Sequence, residues 1–213
     1  MPRANRVQPD GTFLAVPARG LFTGNRGILH DAQGVIGTAR WRHKAWICCT
    51  LDLRPGRAPL PLAAPGHYTP LFFDDEAVAL AAGHRPCAEC RRGAFRAFAA
   101  ALGGLRAPDI DRLLHAARVD PATRHQRRHE AQAEDLPDGA FVRHQGRACL
   151  IRGDAALPHA PGGYGPPLPR PRGAVMVLTP ALTLRALQAG YSPRLHPSVV
   201  GQSADKAMDK PGD

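Results

Sequence analysis

Along residues 11–53 short apolar runs are separated by glycine- and asparagine-bearing turns, which predicts β structure. The spacing gives a short strand at 12–16 and a hairpin over 20–30 turned at Gly24-Asn25-Arg26-Gly27. A further turn follows at 31–34, then a longer strand over 41–53. On that last strand Trp46, Cys48 and Thr50 share one face, and Ile47, Cys49 and Leu51 the other. Residues 54–67 are rich in proline and glycine and read as a basic loop.

The apolar run Leu71-Phe72-Phe73 predicts another strand, after which the period becomes helical. Asp74 and Asp75 supply an N-cap and first-turn negative charge. Ala77, Val78, Leu80 and Ala81 form the buried side, and Gly83 and Pro86 stop the helix. A second helix over 91–102 carries Phe95, Phe98, Ala99 and Leu102 on one face, and a third over 107–118 carries Ile110, Leu113, Leu114 and Ala117. Residues 123–134 are polar all round and dense in positive charge, which predicts a charged helix or a linker. Two apolar runs, 140–143 and 148–152, joined through His144-Gln145-Gly146, predict a hairpin with Cys149 as a small core residue. A proline-rich arm over 158–172 holds Tyr164. A buried strand over 174–178 then leads through Thr179-Pro180 into a helix ending near 189.

These elements make the chain α+β, in four stretches: a β-rich module over 1–102, a helical, basic connector over 103–135, a small α+β unit over 136–198 and a disordered tail over 199–213. One internal echo crosses them. Leu80-Ala-Ala-Gly83-His-Arg-Pro86 resembles Leu187-Gln-Ala-Gly190-Tyr-Ser-Pro193, each after a strand and a helix, as a decayed duplication or a shared helix stop would give.

Charge adds a partner class. The 213 residues carry a formal net charge of +10 with only three lysines, Lys44, Lys206 and Lys210. Arginine binds phosphate oxygens in pairs, so nucleic acid is the expected partner. A G+C-biased coding sequence would leave the same composition. Arg40, Arg42, Lys44, Arg54 and Arg57 are the expected phosphate contacts, with Arg85, Arg91 and Arg92 beside the cysteines. No apolar run approaches a membrane span or a secretory signal. Five cysteines without an export signal point to a reducing compartment, the cytoplasm. P-loop, GxGxxG, HExxH and GxSxG patterns are absent, and the acidic pairs Asp74/Asp75 and Asp109/Asp111 read as helix starts.

Cys87 and Cys90 carry the most specific chemistry. A Cys-x-x-Cys turn brings two sulfurs to one side, within reach of one tetrahedral zinc. The helix start after Cys90, with Arg85, Arg91 and Arg92, is expected to favour the thiolates. A redox pair or two free thiols are the competing readings. Further ligands are sought at Cys48 and Cys49, of which a regular strand points only one at the knuckle, and at His30 and His43.

The segment FFDDEAVALAAGHRPCAECRR resembles the second half of the zinc-binding domain of the DNA repair protein Ada, which runs apolar strand, alanine-rich helix, glycine, then Arg-Pro-Cys-x-x-Cys. The likeness covers residues 71–92 and extends back toward Trp41. It implies a zinc ion held by Cys87, Cys90 and two ligands from an upstream strand and loop, and DNA as partner. The upstream cysteines here, Cys48 and Cys49, are adjacent where the family spaces its pair, so one ligand does not carry over. The resemblance also implies an alternative, a repair enzyme whose zinc-bound cysteine accepts a methyl group from a phosphotriester. A zinc-stabilised protein-interaction module is the third reading.

Overall fold

A computed structural model describes residues 2–52, 64 and 66–202, with the side chains of 200–202 left aside. Among the described residues two sheets and four helices make an α+β fold. The first sheet takes β1 (Arg6–Val7), β2 (Phe13–Leu14), β3 (Phe22–Asn25), β4 (Ile47–Thr50), β5 (Leu71–Phe73) and β6 (Arg85–Pro86) in the spatial order β2-β1-β5-β3-β4-β6. Here β3 runs antiparallel to both β4 and β5, and β6 joins β4 in parallel. Helices α1 (Glu76–Ala81), α2 (Arg92–Ala101) and α3 (Ala107–Arg118) follow.

The second sheet takes β7 (His129–Gln132), β8 (Phe141–His144), β9 (Arg147–Arg152), β10 (Ala155–Ala160), β11 (Gly163–Tyr164), β12 (Leu168–Pro169) and β13 (Ala174–Val177). Its order is β11-β10-β9-β8-β13-β7, with β12 also on β10. Helix α4 (Ala181–Gln188) comes after β13.

Helix α1 is buried along its whole length and lies where the two apolar cores meet. One core joins Phe22, Leu71 and Phe73 to Phe141, Leu150 and Leu178. The other joins Leu80 and Phe98 to Ile151, Val177 and Leu187. The three acids at the start of α1 all reach the C-terminal half. Asp74 pairs with His159 at 2.9 Å. Asp75 caps Val78 N–H at 2.8 Å and also accepts from Tyr164 O–H at 2.7 Å and His196 N–H at 3.0 Å. Glu76 accepts from Tyr191 O–H at 2.5 Å and from Arg91 at 2.7 Å.

Five expectations change. The hairpin over 20–30 does not form: the chain stays extended as β3, and Gly24 is needed because a Cβ there would stand 2.1 Å from the Ile47 carbonyl oxygen. The long strand over 41–53 shortens to β4, since the chain before it bends back, Arg42 N–H bonding Arg26 O at 2.7 Å. Residues 123–134 form neither helix nor linker but a turn, the edge strand β7 paired with β13, and a short 3₁₀ turn. A polar strand is stable there because edge pairing uses backbone groups and leaves charged side chains in water. The proline-rich arm becomes the end of β10 with β11 and β12, and Tyr164 is buried. Val199, at the head of the expected tail, is also buried.

Candidate metal centre

The sulfurs of Cys49, Cys87 and Cys90 all lie within 4.8 Å of one another, close enough to hold one metal ion. Three backbone features bring them together. Strand alternation turns Cys48 and Cys49 to opposite sides of β4. Strand β6 then pairs alongside, and Cys87 N–H bonds Cys48 O at 2.9 Å, which sets the knuckle level with Cys49. The chain next turns into α2, and Glu89 N–H points at Cys87 Sγ from 3.4 Å.

The three thiols titrate as one unit. Cys87 is held far below the usual thiol range because Cys49 and Cys90 both donate to its sulfur, aided by the Cys90 and Glu89 N–H groups. Cys49 is pushed up, first because it donates to Cys87 and Cys90 and then by burial. The stabilisation of thiolate therefore comes from neighbouring S–H and N–H donors and falls on Cys87. Of the arginines expected to supply it, Arg85 and Arg91 are engaged elsewhere and Arg92 is exposed. Arg85 is buried in a two-pronged pair with Asp111, both contacts at 2.8 Å, and Arg91 pairs with Glu76.

The remaining expected ligands lie outside the trio. Cys48 is fully buried, with Arg91 Nη1 3.5 Å from its sulfur, and burial raises its pKa. His30 bonds Thr69 Oγ1 at 2.6 Å, and His43 bonds Asn25 Oδ1 at 3.1 Å. Neither histidine belongs to the cluster. Arg40, Arg42, Lys44 and Arg92 are exposed, while Arg54 and Arg57 lie outside the described residues.

Sulfurs about 2.3 Å from a tetrahedral zinc stand roughly 3.8 Å apart, so the trio fits three corners of such a site. An all-thiol donor set suits soft and borderline metals and excludes magnesium or calcium. Residues 53–63 contain no Cys, His, Asp or Glu to supply a fourth. Compared with models of known protein families, with curated proteins and with solved structures, the chain matches none of them. No helix among the described residues is long and apolar enough to cross a membrane.

Proposed function

We propose that this is a zinc-binding protein, its metal held by Cys49, Cys87 and Cys90, that binds DNA through an exposed basic surface. The observation that carries the metal half is the convergence of three sulfurs from two distant segments, one of them a helix-entry knuckle with N–H groups aimed at sulfur. The resemblance of residues 71–92 to the Ada zinc domain supports zinc over other thiophilic ions. Bound zinc makes the three thiols thiolates and ties β4 to the knuckle, a structural duty. The DNA half is supported by the net charge of +10 and by the exposure of Arg40, Arg42, Lys44 and Arg92.

Metal content and alkylation test the centre. Purified protein is expected to hold about one zinc per chain, with Cys49, Cys87 and Cys90 protected from alkylation until a chelator is added. Complete alkylation of metal-free protein without chelator rejects it. Duplex binding is expected to weaken linearly in log K against log salt, with a slope near −0.9 per phosphate neutralised. Absence of binding at low salt rejects the DNA half alone.

A further inference from the structure

We infer that the cleft between the N-terminal strands and the end of α3 binds a nucleoside phosphate, either as a free nucleotide or as part of a single strand. Its volume, about 740 Å3, lies in the range of small-ligand pockets. Arg26, Arg40, Arg118, Arg124, Arg127 and Arg128 line it against two carboxylates, Asp10 and Asp120. Both acids are engaged. Asp10 accepts from Arg143 at 3.2 Å and Thr12 Oγ1 at 2.6 Å, and Asp120 caps its own turn through Ala122 and Thr123 N–H.

Among the described residues, the floor of the cleft holds two buried cations without a counter-ion. Arg26 and Arg118 are 2% and 1% exposed, and their guanidinium carbons lie 4.0 and 3.8 Å from the Trp46 ring centroid. Arg26 donates to His84 Nε2 and Ala82 O, and Arg118 to Gly83 O and Lys44 O. Among the described residues neither forms an ion pair, and Asp111, the carboxylate that acts on Arg118, is bound by Arg85. Among the described residues Arg118 Nε and His84 Nδ1, both buried, have no hydrogen-bond partner. Burying an unpaired charge costs several kcal/mol, and burial holds Arg26 down to about 9. A phosphate group in the cleft offsets these two covered charges through space, and the exposed guanidinium forks of Arg124, Arg127 and Arg128 on the same lining are the ones free to grip its oxygens.

The rim supplies a platform for a base. Arg124 takes a left-handed backbone conformation, φ 61°, rare for a residue with a side chain, and lays its guanidinium 5.1 Å from the Trp41 ring centroid. Trp41 and Phe13 are half-buried there, leaving aromatic surface for stacking. Residues 123–134 lack aromatics of their own, and folding brings Trp41 to them.

This inference rests on the nucleic-acid half of the proposed function and is independent of the metal. The chain's two tryptophans, Trp41 and Trp46, both line the cleft, so intrinsic fluorescence reports its occupancy. The titrants are inorganic phosphate, thymidine 5′-monophosphate and a short oligothymidylate at low salt. We expect a saturable change with the nucleotide or the oligomer, weakened about tenfold by the joint substitution Arg124→Ser and Arg127→Ser. Both side chains are exposed, so the fold is kept, as circular dichroism will verify. Response to the oligomer alone identifies a strand as the source, and equal affinities identify the free nucleotide. No response to any titrant, inorganic phosphate binding as tightly as the nucleotide, or a double variant equal to wild type overturns the proposal. Duplex binding measured in parallel separates the two readings. If it persists without a fluorescence response, the cleft is rejected and the surface stands; a response without duplex binding does the reverse.

Discussion

At the end of α1, Gly83 N–H bonds Leu80 O and His84 N–H bonds Ala79 O, both at 2.9 Å; at the end of α4, Gly190 N–H bonds Leu187 O and Tyr191 N–H bonds Ala186 O, both at 3.0 Å. These are the same glycine-terminated helix stop, with φ of 83° and 93°. The likeness extends upstream. In one unit β3 lies between β4 and β5, antiparallel to both, and β5 leads into α1; in the other β8 lies between β9 and β13 in the same sense, and β13 leads into α4. After the stop the two chains diverge. Strand β4 has a free edge, which β6 takes in parallel, carrying Cys87 to Cys49. The matching edge of β9 is filled by β10, so the chain after Gly190 turns instead onto Glu76, with Arg194 N–H at 2.9 Å from its carboxylate. A shared cap fixes how a helix ends, and the availability of an edge decides where the chain goes next.

The sharpest separation of the two units is expected at the helix starts. Asp75 caps α1, whereas Pro180 caps α4 without any side-chain bond. Asp75→Ala removes a cap worth about 1 kcal/mol and the bonds that its carboxylate accepts from Tyr164 O–H and His196 N–H, hydrogen bonds to a charged group being worth about 1.5–3 kcal/mol each. A loss on the order of 4 kcal/mol is expected in denaturant unfolding, against about 1 kcal/mol for Pro180→Ala, which gives up a buried ring and chain stiffness but no side-chain bond. Equal effects would remove the buried-junction role assigned to Asp75.

Next come the two glycines. A Cβ at Gly83 would stand 2.5 Å from Arg118 Cδ, while one at Gly190 meets nothing within 4 Å. Both alanine variants carry the left-handed cost of roughly 1–2 kcal/mol. Gly83→Ala is expected to lose a further 1–3 kcal/mol, roughly, through overpacking. Thermal melts of the two variants measure the difference, and indistinguishable midpoints would show that Arg118 moves aside freely.

The smallest expected effect is on pH dependence, where the imidazoles packed on Trp46 lead and His129 of β7, also lowered by burial, adds to them. Burial holds His84 well below the usual imidazole range and brings His115 down to about 4, while Tyr191, the counterpart of His84, is pushed up, out of this window. Below an unfolded imidazole value of about 6.5 the unfolded chain binds more protons, so stability falls as pH drops from about 6.5 toward 4. His115→Gln is expected to flatten that fall in melts between pH 7 and 5, and an unchanged slope would assign the dependence elsewhere.

Elements whose signals are local were legible from the residues. Helix α3 spans the expected Ala107–Arg118, and the 140–152 hairpin turns through Gln145 and Gly146, both at positive φ. Asp75 caps α1, and only one of the adjacent cysteines faces the knuckle. Such features depend on neighbours within a few positions, where backbone sterics and capping bonds act. Partnerships across the chain were not legible. Asp74 and Asp75 read as a helix start, yet they also bind His159, Gly162, Tyr164 and His196, because a carboxylate's sequence neighbours do not show which donors folding will bring to it. Arg85 and Arg91 read as free charges beside cysteines, and packing gives both to buried acids.

The sequence alone therefore determined the helix ends, the strand parity and the Cys-x-x-Cys turn, since each is set by dihedral preference and by bonds to near neighbours. Only the tertiary structure decided that Cys49 and not Cys48 completes the thiol trio, and that Trp41 meets Arg124 across the chain. Those outcomes depend on which sheet edges are open and on which charges burial forces to find a partner, and neither is a property of any single stretch.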